Sequence, residues 1–374
     1  MLMMFKKTFF IVVALLLVLS GCKNDESSVK DNVNSKSDKR VLESYTVRTK
    51  KPAVAGGLIT ENIYNKRDIS EIEMRSMELS KDYFSPKELY YQYGQYLNTE
   101  EINGFLERKS KKYPNGLNPS LPEGQDRLKA EKESPKILSH ILEQNYVDKD
   151  GHLKGITISL ALNSVYYLRF TDKEGKTYSD EVEIKSSDIL KEGKNAASRL
   201  LAYLRDTKQV PSDVPILIML YQQEKRNASK PGKFLAKSFI ESGEHDVGNW
   251  DKLDMTHRIL SVNDYEDIET KDNLTYKRFE SLVTGLENNF KETNFTLVGD
   301  AFYKDGELTQ VEFNLTATGA SESKVIAMVQ YLGNLLNEGF YSNLNVRFNI
   351  KNDHKQKAIV IWDSSKHEVE SEIY

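Results

Sequence analysis

The chain of 374 residues has one cysteine, at position 22, and two tryptophans. A single thiol excludes an internal disulfide framework and a cysteine-rich metal site. Long hydrophobic runs are scarce too. Thr8–Leu19 is the longest, about twelve residues, where a membrane-spanning helix requires roughly twenty. Neither sign of charge dominates: 52 Lys and Arg face 56 Asp and Glu, for a net charge of −4. A mildly acidic chain without a basic cluster is a poor nucleic-acid binder, because phosphate neutralisation supplies most of that affinity.

What is present begins at the N-terminus. Lys6 and Lys7 precede the short apolar run, which ends in Leu19-Ser20-Gly21-Cys22. A positive start, an apolar core and small residues before a cleavage point are the pattern of an export signal. An aliphatic residue, two small residues and a cysteine form a lipobox. Leu19, Ser20 and Gly21 would be read by lipoprotein signal peptidase, and the Cys22 thiol would carry a diacylglyceryl group. The mature chain is then expected on the extracellular face of the cell membrane, held by acyl chains rather than by a span. Residues 22–44 contain little but polar and charged side chains and predict a disordered tether.

The body reads as α+β. Helices are expected over Asp68–Tyr83 and from Thr99, as cap, to about Arg108. Lys109–Glu133 carries Pro114, Gly116, Pro119, Pro122 and Gly124, and predicts a long loop. Ser134-Pro135 suggests a helix start, with Ile137, Leu138, Ile141 and Leu142 as its apolar face. Gly155–Ser164 predicts a strand, followed by a charged hairpin-like segment. Asp188–Asp206 predicts a helix with Ile189, Gly193, Ala196, Leu200 and Leu204 on one face. Pro215–Tyr221 and Lys233–Glu241 predict strands.

After an irregular stretch, Tyr276, Phe279, Val283, Leu286 and Phe290 mark a helix. Gln310–Gly319 predicts a strand, Ser321–Glu338 a helix, and Leu344–Ile350 and Lys357–Trp362 two strands. Both halves therefore read helix, strand, helix, strand, strand. The expected architecture is two tandem related units, each a mixed sheet with helices packed on one face. The expected divisions are signal peptide 1–21, tether 22–44, first unit 45–243, linker 244–271 and second unit 272–374.

Chemistry-bearing motifs are few. The six histidines (His140, His152, His245, His257, His354 and His367) show no metal-ligand spacing, and His367-Glu368-Val369-Glu370 alternates near a strand, where charged groups usually face solvent. There is no glycine-rich phosphate loop and no Gly-x-Ser-x-Gly elbow. No catalytic residue, metal or cofactor is assigned, and the expectation is a protein that is not an enzyme. The tyrosine-rich segment Lys87–Tyr96 could stack on sugars or peptides, although such residues more often pack with wet hydroxyl tips.

The segments LITENIYNKRD, LSKDYFSPKELYYQYGQYL, GLNPSLPEG, SPKILSHILEQNY and GITISLALNSVYY follow the lipobox and polar tether in that order. In this the chain resembles the CamS family, the sex-pheromone-precursor lipoproteins of Gram-positive bacteria. The resemblance covers nearly the whole chain and implies a tandem repeat. It also implies that a membrane protease trims the freed signal to a pheromone that induces plasmid conjugation. The peptide expected here is Ala14-Leu15-Leu16-Leu17-Val18-Leu19-Ser20-Gly21. Where the family's pheromone has an Ile-Phe-Ile-Leu run, this chain has Leu15–Leu19, which leaves open a different target plasmid or none. The alternative reading is an extracytoplasmic binding module for a peptide, glycan or small solute, with the body's ligand unassigned.

Overall fold

A computed structural model describes residues 44–48, 54–55, 57–208, 210–262 and 273–374. The first sheet has the order β1-β2-β3-β6-β7-β8. Its strands are β1 (Tyr90–Tyr93), β2 (Leu138–Val147), β3 (Leu153–Leu162), β6 (Ile216–Gln222), β7 (Lys233–Ile240) and β8 (Asp251–Lys252). β3 and β6 run parallel and the other neighbours antiparallel. Between β3 and β6 the chain makes a separate hairpin, β4 (Val165–Thr171) with β5 (Thr177–Glu183), and then α5 (Ser186–Asp206).

The alternating residues of β3 and β6 build two cores. Ile156, Ile158, Leu160, Leu162, Ile216, Ile218 and Leu220 pack against α5. Gly193 is what lets α5 approach: a Cβ there would sit 2.6 Å from Leu162 Cδ1. The opposite face meets α2 (Lys66–Ser80) and α1 (Ile59–Asn62). The buried side of α2 is unusually polar, with Asp68, Arg75, Ser76 and Ser80 beside Ile72 and Leu79. Its serines are satisfied across the interface, Ser76 Oγ with Ser159 Oγ at 2.6 Å and Ser80 Oγ with Thr157 Oγ1 at 2.8 Å. The first sheet is thus covered by helices on both faces.

The second sheet has the order β14-β13-β12-β11-β10-β9. Its strands are β9 (Met255–Leu260), β10 (Asn294–Lys304), β11 (Glu307–Thr318), β12 (Asn345–Asn352), β13 (Lys355–Asp363) and β14 (Glu368–Ile373). β11 and β12 run parallel and are joined through α7 (Glu322–Asn337). α7 and α6 (Asn273–Asn289) cover one face, where Phe313 stacks on Phe348 at 4.8 Å and faces Phe279 at 6.4 Å. The two units share one arrangement: an antiparallel pair (β2-β3, β10-β11), a crossover helix (α5, α7), a parallel strand (β6, β12) and an antiparallel partner (β7, β13).

That arrangement corrects the expected order at its first position. Residues 138–147 are a strand, not a helix. Leu138 and Ile141 enter one core while Leu142 and Tyr146 enter the other. The strand is buried on both faces but half polar, and with His140, Glu143, Gln144 and Asn145 interrupting it, the apolar residues left fall at helical spacing over a short window. Three further elements lie where irregular chain is expected. α4 (Arg127–Glu133) sits in the 109–133 stretch, capped by Asp126, whose side chain accepts the Lys129 N–H. β8 and β9 occupy residues within 244–271, and only Leu253 and Asp254 separate the last strand of one sheet from the first of the other. The cap of α3 (Thr99–Leu106) is Asn98, with Glu101 completing a reciprocal capping box.

The two sheets meet through α2. One apolar cluster joins Ile72 and Leu79 of α2 to Met255 of β9 and Phe302 of β10. The Arg75 guanidinium lies 3.6 Å from the Phe302 ring centroid. No helix among the described residues is long and apolar enough to cross a membrane.

Candidate functional site

In open sheets ligands gather outside the carboxyl ends of parallel strands, where neighbouring connections diverge. In the first sheet that edge lies beyond Leu162 and Gln222. The Gln223 N–H donates to Leu162 O at 2.8 Å, closing the two strand ends together. The Gln223 amide donates to Ser139 Oγ and, at 3.1 Å, to Asn163 Oδ1, while Asn163 Nδ2 donates to Lys136 O at 3.0 Å. Beside Ser139 is His140, buried, with its Nδ1 3.3 Å from Asn62 Nδ2. Burial pulls this imidazole down to about 4, so it is neutral at pH 7. With the Asn62 amide donating to Nδ1, the ring proton is assigned to Nε2.

The same edge carries Asp68, fully buried on α2. Its carboxylate accepts three bonds: from Tyr221 Oη at 2.6 Å, the Gly232 N–H at 2.6 Å and the Glu224 N–H at 3.1 Å. Burial raises its pKa to about 6 against the opposing pull of these donors. These bonds fix both ends of the β6–β7 connection, whose exposed Arg226 lies between Tyr64 and Tyr167. At this edge the His140 imidazole and the Gln223 amide are buried and bonded within the protein, and the exposed group is the Arg226 guanidinium.

A second polar cluster lies between the sheets. The His257 ring of β9 sits between two carboxylates, Nδ1 at 2.8 Å from Asp300 Oδ1 and Nε2 at 3.3 Å from Glu71 Oε1. The Asp300 contact is the aligned hydrogen bond; the Glu71 contact is an ion pair without that alignment. Burial pulls His257 down, but the contacts with Asp300 and Glu71, and their charges, outweigh it and raise it to about 9. Glu71 also binds Arg75. Burial would raise it, yet the Arg75 charge and the His257 contact hold it at about 2. This cluster ties α2 to the second sheet.

The other groups weighed from sequence take structural places. Tyr91 enters the core on β1 and meets Tyr146 at 6.3 Å. The buried Glu143 carboxylate accepts the N–H groups of Gln95, Tyr96 and Leu97, which fixes the end of the tyrosine-rich segment. His367 lies in the turn before β14, with Glu368 and Glu370 exposed on that edge strand. At the β2–β3 turn Asp148, Asp150 and His152 lie close together. There Asp148 Oδ1 is committed to the N–H groups of Asp150, Gly151 and His152.

Cys22, the recognition residues Leu19, Ser20 and Gly21, and the peptide Ala14–Gly21 lie outside the described residues. Asp68, His257, Glu71 and Arg226 were not singled out from sequence as site residues. Each is one charge among many, and its partners are distant in the chain. The only local hint is Pro231-Gly232, which marks a tight connection.

Residues 51–368 match the family described as CamS sex pheromone cAM373 precursor. The chain is similar to the solved sex pheromone precursor of Lactobacillus salivarius subsp. salivarius UCC118. The TM-score is 0.76 and identity 25%, over 88% of this chain and 96% of that one. It is also similar to the C-terminal domain of the staph-cAM373 sex pheromone precursor of Staphylococcus aureus. There the TM-score is 0.73 and identity 25%, over 84% of this chain and 98% of that one. No curated protein matches the chain. With the family match spanning most of its length and both sheets, the chain belongs to the CamS sex pheromone cAM373 precursor family.

Proposed function

We propose that the chain is made as a lipoprotein precursor that yields two products. Cys22 receives a diacylglyceryl group, lipoprotein signal peptidase cuts after Gly21, and the body stays anchored to the extracellular face of the cell membrane. A membrane protease then trims the freed signal to Ala14–Gly21, an uncharged aliphatic peptide that induces conjugation in plasmid-carrying cells. One observation carries this reading: Leu19-Ser20-Gly21-Cys22 closes a short apolar run in a chain of a sex pheromone precursor family. Mass spectrometry of small peptides in the culture supernatant tests it. Ala14–Gly21, or a closely trimmed form, is expected from wild type and not from Cys22→Ala. Its absence from wild type, with a spiked standard recovered, refutes the pheromone arm.

The folded body has a role of its own in a second reading, as a non-catalytic binding module. The edge beyond β3 and β6 favours it, since Asn163 and the exposed Arg226 are held in place before any ligand arrives. A bound peptide, glycan or solute raises the melting temperature in this reading.

A further inference from the structure

The connection from β6 to β7 is held from the inside at several points. Asp68 accepts the N–H groups of Glu224 and Gly232, and Asn65 Nδ2 donates to Lys230 O at 3.3 Å. Gly232 passes so close to the preceding strand that a Cβ would lie 2.0 Å from Gln222 O. Midway along, Arg226 is exposed yet fixed. Its N–H donates to Tyr167 Oη at 3.1 Å. Its guanidinium carbon lies 4.2 Å from the Tyr167 ring centroid and 4.1 Å from that of Tyr64. The two rings sit edge to face, 6.4 Å apart and 82° inclined. Tyr64 comes from the turn between α1 and α2 and Tyr167 from β4, so three separate segments build the clamp.

A guanidinium held against aromatic faces keeps the N–H groups of its edge for hydrogen bonding, and that edge matches the two oxygens of a carboxylate or phosphate. Among the described residues nothing takes that edge, and no carboxylate lies within ion-pair distance of Arg226. The neighbouring Glu183 is engaged by Lys225 at 2.9 Å, and Asp68 is committed to its three donors. The surrounding segments add Lys66, Arg67, Lys225, Lys230 and Lys233 against Glu61, Asp68, Glu183 and Glu224, which leaves Arg226 in a nearly balanced setting within an acidic chain. Tyr64, 62% exposed, offers apolar surface beside the cation.

We propose that Arg226, clamped between Tyr64 and Tyr167, is a recognition point for an oxyanion: the carboxylate or phosphate group of a ligand of the folded body. The proposal rests on the binding reading of that body and names the chemistry its ligand carries. The fixed guanidinium supplies orientation and charge, and Tyr64 packs against whatever carries the anion.

Isotope-labelled full-length protein tests this through the arginine side-chain Nε–Hε resonances, titrated with inorganic phosphate, with acetate, and with chloride at matched ionic strength. The Arg226 resonance is expected to shift saturably with phosphate or acetate and not with chloride. The phosphate and acetate arms distinguish the two oxyanion classes. Tyr64→Ala is expected to weaken the response roughly tenfold at an unchanged melting temperature, with Arg226→Lys serving in the titration only to assign the resonance. A shift no larger than that of the exposed Arg169, or a full response in Tyr64→Ala, overturns the proposal. A peptide, glycan or solute that raises the melting temperature equally in wild type and Arg226→Lys leaves the binding reading standing and overturns this site.

Discussion

At neutral pH Asp68 is an ionised carboxylate with no exposed surface. Burial favours its neutral form more strongly than its three donors favour the charged one, so its pKa rises from 3.8 to about 6. The folded state therefore binds this proton more tightly than the unfolded chain. That contribution is fully present below about pH 4 and is lost as pH rises through 6. A shift of this size corresponds to roughly 3 kcal/mol. Asp68→Asn removes the titration. The stability of wild type relative to the variant should accordingly fall by that order between pH 4 and pH 7, measured by urea midpoints. A pH-independent difference would sink the account of Asp68 as the buried anchor of the β6–β7 connection.

Among the elements, α2 has two jobs, closing the first sheet and carrying the contact to the second. Glu71 and Arg75 lie one turn apart and meet His257 on β9 and Phe302 on β10, and His257 in turn binds Asp300. His257 has its folded pKa raised from 6.5 to about 9, so its contribution is fully present below pH 6.5 and is lost as pH rises through 9. Glu71 is depressed from 4.5 to about 2, so its contribution is present above pH 4.5 and lost as pH falls through 2. The contact is strongest between pH 4.5 and 6.5. His257→Asn should lose the alkaline limb, a change of roughly 3 kcal/mol in relative stability between pH 6.5 and 9. Matched alkaline limbs in denaturant unfolding of wild type and variant would refute the contact. Two kinds of element were legible in the sequence: α5 and α7, with one buried face, by their helical stripes, and β3 and β6, buried on both faces, by their aliphatic runs. β2 was not, because buried His140, Glu143, Gln144 and Asn145 interrupt its apolar run and leave Leu138, Ile141 and Leu142 at helical spacing. β14 alternates Glu368, Glu370 and Glu372 outward, as an edge strand protected from further pairing does, and its one buried-side anchor, Val369, is too little pattern to read.

For the molecule as a whole, the question is whether two sheets with the same arrangement behave as one folding unit. The chain passes between them in two residues, and one apolar cluster draws from both. The two tryptophans report the halves separately. Trp250 packs beside the α5 core, and Trp362 lies in the second, with its Nε1 donating to Ser342 O at 3.1 Å. Single-tryptophan variants, Trp250→Phe and Trp362→Phe, should unfold in urea with coincident fluorescence midpoints. Separated midpoints would show that the α2 contact fails to couple the halves.

The sequence by itself determined the α+β class, the repetition of a unit and the membership in a family, because these depend on local periodicity and on the order of segments along the chain. The tertiary structure alone decided that residues 138–147 are a strand, that α2 covers the second face of the first sheet, and that Asp68, His257 and Arg226 find their partners. Those partners lie far apart in the chain. They meet only once the order of strands is set, and no periodicity within a segment encodes that order.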